Sequence, residues 1–227
     1  MREAKISEVF ISIQGEGLYA GASQVFVRFY SCNLDCTFCD TKPDSYKTFT
    51  RSSLMSRILE FKEPYHSIAL TGGEPLLQAD FINDLLSEYK LFHKKPIYLE
   101  TNGTLYKELL KVIDHVDIIA MDFKMPSSTN AGSFWDEHEK FLNIAKKKRV
   151  FIKAIVTSGT IGEDIFRMRE LVEKIDRKIP IILQPVTPGP NVYGPSDVKL
   201  ARFGSQLKES IERVEIIPQL HRMLGIK

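Results

Sequence analysis

The sequence predicts an α/β fold: a partial, open TIM-like barrel of about six mainly parallel strands. Two observations support this prediction. Apolar, β-rich runs alternate along the chain with segments of helical periodicity, and such alternation implies right-handed βαβ crossovers and a mainly parallel sheet. The chain has 227 residues, whereas a closed eight-stranded barrel typically needs ~250, so we expect the barrel to stay open.

The individual elements follow from the apolar patterns. We expect strands at 25–30, 67–70, 97–100, 117–121, 150–156, 181–184 and 214–217. We expect helices near 52–61, 79–89, 105–113, 135–147, 162–175 and 195–210. In the second of these helices, Phe81 and Leu85 recur at helical spacing and form an apolar face. No repeat, low-complexity tract or interdomain linker interrupts the pattern, so we expect one domain over residues 1–227.

Composition narrows the class of protein. The formal net charge is only +2, which gives no reason to expect a nucleic-acid binder. No apolar run approaches the ~20 residues that span a bilayer, and the N-terminus has no signal-type apolar run. There are three cysteines, too few and too close together for a secreted disulfide framework. We therefore expect a soluble, cytoplasmic protein without a membrane partner.

The three cysteines form the strongest motif. Cys32, Cys36 and Cys39 have the spacing C-x3-C-x2-C directly after the strand at 25–30. Thiolates suit zinc or iron–sulfur clusters. A structural zinc site closes four ligands, and a histidine could in principle supply the fourth. A four-iron cluster on three cysteines would instead leave one iron open to a ligand. Both sites remain alternatives on the cysteines alone.

Further polar motifs end the neighbouring strands. The segment 71–75 reads Thr-Gly-Gly-Glu-Pro, and similar strand ends occur at 100–103, 122–124 and 184–187. Each alone could be ordinary turn chemistry. In parallel α/β folds, however, ligands bind at the carboxyl ends of strands, so we expect these motifs to form one site.

Taken together, the cysteine spacing and the Gly72-Gly73-Glu74-Pro75 segment resemble the radical S-adenosylmethionine (SAM) superfamily. The resemblance implies a radical SAM core that holds a [4Fe-4S] cluster on Cys32, Cys36 and Cys39, with the open iron chelating SAM. The SAM contacts that it implies are Phe38, Cys39, Asp40, Gly72, Gly73, Glu74, Asp122, Phe123, Lys124, Gln184, Pro185, Val186 and Thr187.

Within the superfamily, the chain resembles the 7-carboxy-7-deazaguanine synthase family over nearly its whole length. The resemblance depends on the segment 13–17, Ile-Gln-Gly-Glu-Gly, on Arg28, on Cys39-Asp40-Thr41, and on the C-terminal segment 218–227. It differs at Asp122-Phe123-Lys124, where many members have Ser-Pro-Lys. The substrate contacts that it implies are Ile13, Gln14, Gly15, Glu16, Arg28, Thr71, His221 and Lys227.

This resemblance also implies a reaction and its cofactors. The family converts 6-carboxy-5,6,7,8-tetrahydropterin to 7-carboxy-7-deazaguanine with loss of ammonia, in queuosine and 7-deazapurine biosynthesis. It uses Mg²⁺, for which Thr41 carries over as the protein ligand, a reductase such as flavodoxin or ferredoxin, and a homodimer. Two alternatives remain: a glycyl-radical enzyme activase, which shares the Asp-x-Lys element, and a non-catalytic zinc-binding module.

Overall fold

A computed structural model describes residues 2–225. The strands are β1 (Glu3–Ile13), β2 (Ser23–Phe29), β3 (Lys47–Thr50), β4 (Ser67–Gly72), β5 (Ile97–Thr101), β6 (Ile118–Asp122), β7 (Arg149–Val156), β8 (Ile181–Pro185) and β9 (Val214–Ile216). The helices are α1 (Arg51–Leu59), α2 (Ala79–Phe92), α3 (Tyr106–Val112), α4 (Pro126–Thr129), α5 (Trp135–Ala145), α6 (Gly162–Asp176), α7 (Asp197–Lys208) and α8 (Leu220–Leu224).

All strands belong to one open sheet in the order β3-β1-β2-β4-β5-β6-β7-β8-β9. From β2 to β9 the neighbours are parallel, whereas β1 is antiparallel to both β2 and β3. The predicted open, mainly parallel sheet is confirmed, and every predicted strand is present. The sheet has nine strands: the seven that were listed from the sequence, and β1 and β3, which were not predicted.

The helices cover one face of the sheet and form the larger core. The helix near 79 is confirmed as α2, which buries Phe81, Ile82, Leu85, Leu86 and Tyr89. Side-chain caps define two of the helix starts: Thr50 accepts from the Ser53 amide, and Ser196 accepts from the Lys199 amide. These caps satisfy amides that have no partner inside their own helix.

The opposite face of the sheet carries a smaller apolar layer, formed by Phe26, Ala69, Tyr98, Ile118, Ala120, Phe151 and Ile182. Side chains two positions apart on a strand share a face. In six of the strands, the residue two positions after a member of this layer therefore also faces the interior, and it is polar. We call this set the interior polar ring: Arg28, Thr71, Glu100, Asp122, Lys153 and Gln184.

The ring lies at the carboxyl ends of six parallel strands, which is where the sequence predicted a site. The strand register places members of the ring side by side, since Arg28 pairs with Thr71 and Asp122 pairs with Lys153. None of the helices within residues 2–225 is both long and apolar enough to cross a membrane.

Candidate active site

A central cleft opens above the interior apolar layer, and the cysteine loop forms one of its walls. This loop, residues 30–46, connects β2 to β3 and carries the three free cysteines. Cys36 is buried and the other two are exposed, yet all three line the cleft. The Leu34 amide donates to Cys32 Sγ (3.4 Å), and the Cys39 amide donates to the Cys36 carbonyl (3.1 Å).

Two glycines at the end of β4 let the cysteine loop pack against the sheet. The Gly73 amide donates to the Phe29 carbonyl (3.0 Å) and the Glu74 amide to the Ser31 carbonyl (2.9 Å). A Cβ atom on Gly73 would lie 1.9 Å from the Ser31 carbonyl oxygen. Gly72 has a φ of +123°, a conformation that favours glycine. The pair therefore allows close approach of the loop backbone as well as lining the cleft.

Lys153 joins two carboxylates at the centre of the cleft. Its ammonium forms an ion pair with Glu16 Oε2 and lies 3.7 Å from Asp122 Oδ2. Lys124 also binds Asp122 Oδ2, at 2.8 Å. Burial alone would lower the pKa of Lys153, but the charges of Glu16, Asp122 and Glu100 raise it well above its usual range. This lysine therefore remains a cation inside the cleft.

Gln14 and Glu100 form a second polar group on the substrate side of the predicted site. The Gln14 side-chain amide donates to Gln24 Oε1 (3.0 Å) and to Glu100 Oε1 (3.1 Å). Thr71 Oγ1 donates to the other Glu100 oxygen at 2.5 Å. Arg28 lies beside this group and pairs with Glu8 at 3.1 Å, while its Nε has no hydrogen-bond partner among the described residues.

The C-terminal segment closes the cleft through polar contacts. The Leu220 amide donates to the Gly15 carbonyl (2.9 Å), and Gln219 Nε2 donates to Glu16 Oε1 (2.9 Å). His221 packs so closely that a Cβ atom on Gly15 would lie 2.6 Å from its ring nitrogen Nδ1. The sequence placed this segment at the site, and within residues 2–225 the structure does the same.

The apolar side chains at the end of this segment do not attach it, since Met223 is 70% exposed and Leu224 is 65% exposed. Gln219, His221 and Arg222 hold it instead, because polar partners on the cysteine loop and in segment 14–16 face them. Ile226 and Lys227, the latter a predicted substrate contact, lie outside the described residues.

Asp40 connects the C-terminal segment to the cysteine loop. Its Oδ2 lies 3.1 Å from Arg222 NH2 and 3.7 Å from His221 Nε2, and its Oδ1 accepts from the Thr41 hydroxyl at 3.2 Å. Burial alone would raise the pKa of Asp40, but its bonds to His221 and Arg222 hold that pKa well below the usual range. Asp40 is therefore an anion next to the cysteines.

Comparison with known proteins shows the family to which the chain belongs. The radical SAM superfamily model matches residues 26–175. The 7-carboxy-7-deazaguanine synthase of Geobacter sulfurreducens is 38% identical, covering 98% of this chain and 97% of that protein. The Methanothermobacter thermautotrophicus synthase is 34% identical, covering 100% and 99%. The chain belongs to the 7-carboxy-7-deazaguanine synthase family. Its fold also resembles crystalline QueE from Escherichia coli, with a TM-score of 0.65 at 19% identity over 96% of this chain and 95% of that one.

As a 7-carboxy-7-deazaguanine synthase family member, the chain is a radical SAM lyase that uses a [4Fe-4S] cluster and SAM. The cysteine loop fits such a cluster. Within residues 2–225, no three His, Cys, Asp or Glu side chains converge on a single-ion site, whereas in a cluster each cysteine binds a different iron. Burial raises the pKa of Cys36 to about 11, so cluster binding must displace its proton. The comparisons give no support to an activase or a zinc module.

Most of the residues that the resemblance implied for this synthase do line the cleft: Ile13, Gln14, Gly15, Glu16, Arg28, Cys32, Cys36, Phe38, Cys39, Asp40, Thr41, Thr71, Gly72, Gly73, Asp122, Lys124, Val186 and His221. Five implied SAM contacts are not among the residues that line the cleft: Glu74, Phe123, Gln184, Pro185 and Thr187. Phe123 packs on Trp135 and His138, and Thr187 donates to Gln219 Oε1 at 2.6 Å.

Glu74 is buried and supports the cleft without lining it. Its carboxylate accepts from Thr101 Oγ1 (2.8 Å), the Asn102 amide (2.8 Å) and the Leu76 amide (3.0 Å). Thr101 and Asn102 themselves line the cleft. In this structure, therefore, Glu74 orients the end of β5. Gln184 is fully buried, and neither of its amide atoms has a partner among the described residues.

The sequence analysis assigned no site role to five polar residues of the cleft: Lys153, Gln219, Glu100, Thr101 and Asn102. The end of β5 was recognised as a motif, but no role was assigned to its side chains. Lys153 had one available signal, since it is the only charged residue between Val150 and Val156. A charge inside an apolar strand is uncommon unless it has a partner.

Proposed function

We propose that this chain converts 6-carboxy-5,6,7,8-tetrahydropterin to 7-carboxy-7-deazaguanine with loss of ammonia. One observation carries the proposal: the cleft has the cysteine loop on one side and, facing it, a set of hydrogen-bonding groups suited to a carboxypterin. The relatives named as 7-carboxy-7-deazaguanine synthases, with which the chain aligns over 98% or more of its length, support the same reaction.

The substrate side would combine one cation with amide and carboxylate groups. Arg28 would bind the substrate carboxylate through a charge-assisted pair, using the Nε that has no partner among the described residues. Glu16 would accept from the amino and ring N–H donors of the pterin, with Gln14, Thr71 and His221 completing the set. We assign no side chain as a general base.

The SAM side would lie nearer the cysteine loop. Asp122 Oδ1 is buried and has no partner among the described residues, which makes it available to a ligand hydroxyl. Gly72, Gly73 and Lys124 would contact the same cofactor. When bound, the cluster and SAM supply the one-electron chemistry that starts the reaction. The protein's part is to orient the two ligands and to exclude water.

A magnesium ion would bind next to the cysteine loop. Mg²⁺ prefers oxygen ligands, and Thr41 Oγ1 lies in the cleft beside Asp40. The substrate carboxylate and water would complete the shell, and the ion would orient that carboxylate. We also propose a flavodoxin- or ferredoxin-type electron donor and a homodimer. We propose a cytoplasmic location as well, because free thiols are typical of that reducing compartment.

The test is anaerobic reconstitution followed by incubation with SAM, reductant, Mg²⁺ and the carboxypterin. We expect about four irons per chain and formation of the deazaguanine product by mass spectrometry. Cys36→Ala, the control, should lose the brown colour, SAM cleavage and product together. A brown, SAM-cleaving protein that leaves the pterin unchanged without a partner protein would favour an activase, and a colourless zinc protein would refute the cluster.

A further inference from the structure

Lys153 is a charged residue of the cleft to which the proposed chemistry assigns no role. It projects from β7 into the cleft, and its side chain is 11% exposed. Its ammonium contacts Glu16, on the proposed substrate side, and Asp122, on the proposed SAM side. No other residue among 2–225 forms ion pairs with both of these carboxylates.

Glu16 is held from two directions. Its Oε2 pairs with Lys153, whereas its Oε1 accepts from Gln219 Nε2 at 2.9 Å and lies 3.9 Å from His221 Nδ1. The Glu16 amide in turn donates to Gln14 Oε1 at 3.1 Å. The carboxylate is therefore fixed in orientation, and Lys153 supplies its strongest charge partner.

We propose that Lys153 is a positioning residue that holds Glu16 ionised and correctly oriented to receive the pterin N–H donors. This inference rests on the proposed function. Lys153 would act through Glu16 and would not itself bind the pterin. By pairing with Asp122 as well, it would keep the substrate side and the SAM side of the cleft in one fixed arrangement.

The charge balance around Glu16 explains why a cation is needed. Burial would raise the pKa of Glu16, and Lys153 is the largest influence that lowers it. The titratable groups that face Glu16 or its lysine partner are Lys153 on β7, His221 on α8, Asp122 on β6, Lys124 just after β6, and Tyr98 and Glu100 on β5. Among these groups, Lys153 is the only lysine that pairs with Glu16.

Removing Lys153 should raise the pKa of Glu16, because burial would then act without its main charge partner. A protonated Glu16 loses one acceptor, so pterin binding should weaken as the pH falls. In Lys153→Met we expect carboxypterin to bind about 100-fold more weakly than in the wild type. The ratio of the two dissociation constants should grow from about pH 8 to pH 6. A merely structural defect would give a ratio that is constant with pH.

The experiment uses the reconstituted holoenzyme with SAM and without reductant, so that carboxypterin binds but is not consumed. Dissociation constants are measured across that pH range for the wild type, Lys153→Met and Lys153→Arg. The arginine variant keeps the charge and should abolish the pH trend. Lys147→Met, at an exposed surface lysine, is the matched control and should bind as the wild type does.

A double variant keeps the inference testable if Lys153→Met misfolds. Glu16→Gln/Lys153→Met leaves neither of the paired charges. If Lys153 acts through Glu16, this protein should bind carboxypterin within about 3-fold of Glu16→Gln alone. A further loss of tenfold or more would show that Lys153 acts on the ligand directly and would overturn the proposal.

An infrared measurement separates this inference from the proposed function. In Lys153→Met, a protonated carboxyl band that is absent from Glu16→Gln/Lys153→Met should appear as the pH falls. If Glu16 stays ionised in Lys153→Met, the proposal is wrong whatever the substrate is. If the band appears but the wild type does not bind carboxypterin, the ion pair is established, while the pterin role of Glu16 and the proposed function both fail.

Discussion

At the scale of single residues, the cleft is a set of carboxylates whose protonation is determined by their immediate partners. Glu16 and Asp122 share Lys153, and Asp40 pairs with Arg222. Glu74 has no such partner within hydrogen-bonding range among the described residues: its contacts are two amides and a hydroxyl. The first three carboxylates are therefore anions at neutral pH, whereas Glu74 is not fixed in that state.

Glu74 should give stability a distinct pH dependence. Burial raises its pKa from 4.5 to about 7, so the folded chain holds this proton more tightly than the unfolded chain does. That stabilisation is fully present below pH 4.5 and is lost as the pH rises towards 7. We expect the wild type to lose unfolding free energy across this window relative to Glu74→Gln, as measured by urea denaturation at matched iron content. Parallel curves for the two proteins would contradict the raised pKa.

Thr41 should determine the response to magnesium. Its hydroxyl lies in the cleft and donates to Asp40, so Thr41→Ala removes one candidate ligand without removing the carboxylate. We expect the variant to need about tenfold more Mg²⁺ for half-maximal turnover, since removal of a direct metal contact commonly costs on this order. SAM affinity should change much less. An unchanged Mg²⁺ titration would place the ion elsewhere.

At the scale of elements, the sequence predicted the strands and helices that have a clear hydrophobic periodicity, and the strand ends that carry a motif. It found the parallel strands because their apolar runs are buried on both faces. It missed β1, in which charged residues interrupt the apolar ones, and β3, which has only four residues. Lys153 was missed because its partners come from segment 14–16 and from β6, and such contacts exist only in the folded chain.

The Gly72–Gly73 turn should be needed for cluster assembly. A methyl group on Gly73 would collide with the Ser31 carbonyl and push the cysteine loop away from the sheet, at a cost of about 1–3 kcal/mol. We expect Gly73→Ala to lower iron content after reconstitution. Gly189→Ala is the control, because a Cβ atom there would meet nothing within 4 Å. Full iron loading in Gly73→Ala would show that the loop tolerates the displacement.

The C-terminal segment should serve substrate binding and not the cluster. Its attachment depends on Gln219, His221 and Arg222, so deletion of 224–227 leaves those contacts in place and removes only the residues beyond them. We expect this deletion, or a C-terminal tag, to raise the substrate KM by about tenfold, the loss of one polar contact to a ligand. Iron content and uncoupled SAM cleavage should not change. Wild-type kcat/KM in both proteins would refute a role for residues 224–227.

At the scale of the whole molecule, the parallel sheet brings together residues far apart in the chain. Arg28, Glu100 and Lys153 all face the interior from three different strands, because each follows an interior apolar residue by two positions. The strand-end motifs let the sequence predict that a site forms at this edge. The pairing of charges across it depends on register and curvature, which no local motif specifies.

The depth of the cleft depends on the interior apolar layer that lies below the interior polar ring. Ala120 lies in the apolar layer, lines the cleft, and pairs in register with Glu100 and Phe151. Its small side chain leaves room below the interior polar ring. If the pterin occupies that space, Ala120→Leu should raise the substrate KM about tenfold or more, as is typical when a side chain fills part of a binding site.

Ala120→Leu can distinguish a loss of space for the substrate from a loss of protein stability. The substitution leaves the cysteine loop itself unchanged, so we expect iron content and SAM cleavage without substrate to match the wild type. Ala201→Leu, at an exposed position on α7, is the matched control and should leave the KM unchanged. An unaltered KM in Ala120→Leu would mean that the substrate lies higher, between the ring and the C-terminal segment, and that the apolar layer serves only to close the barrel interior.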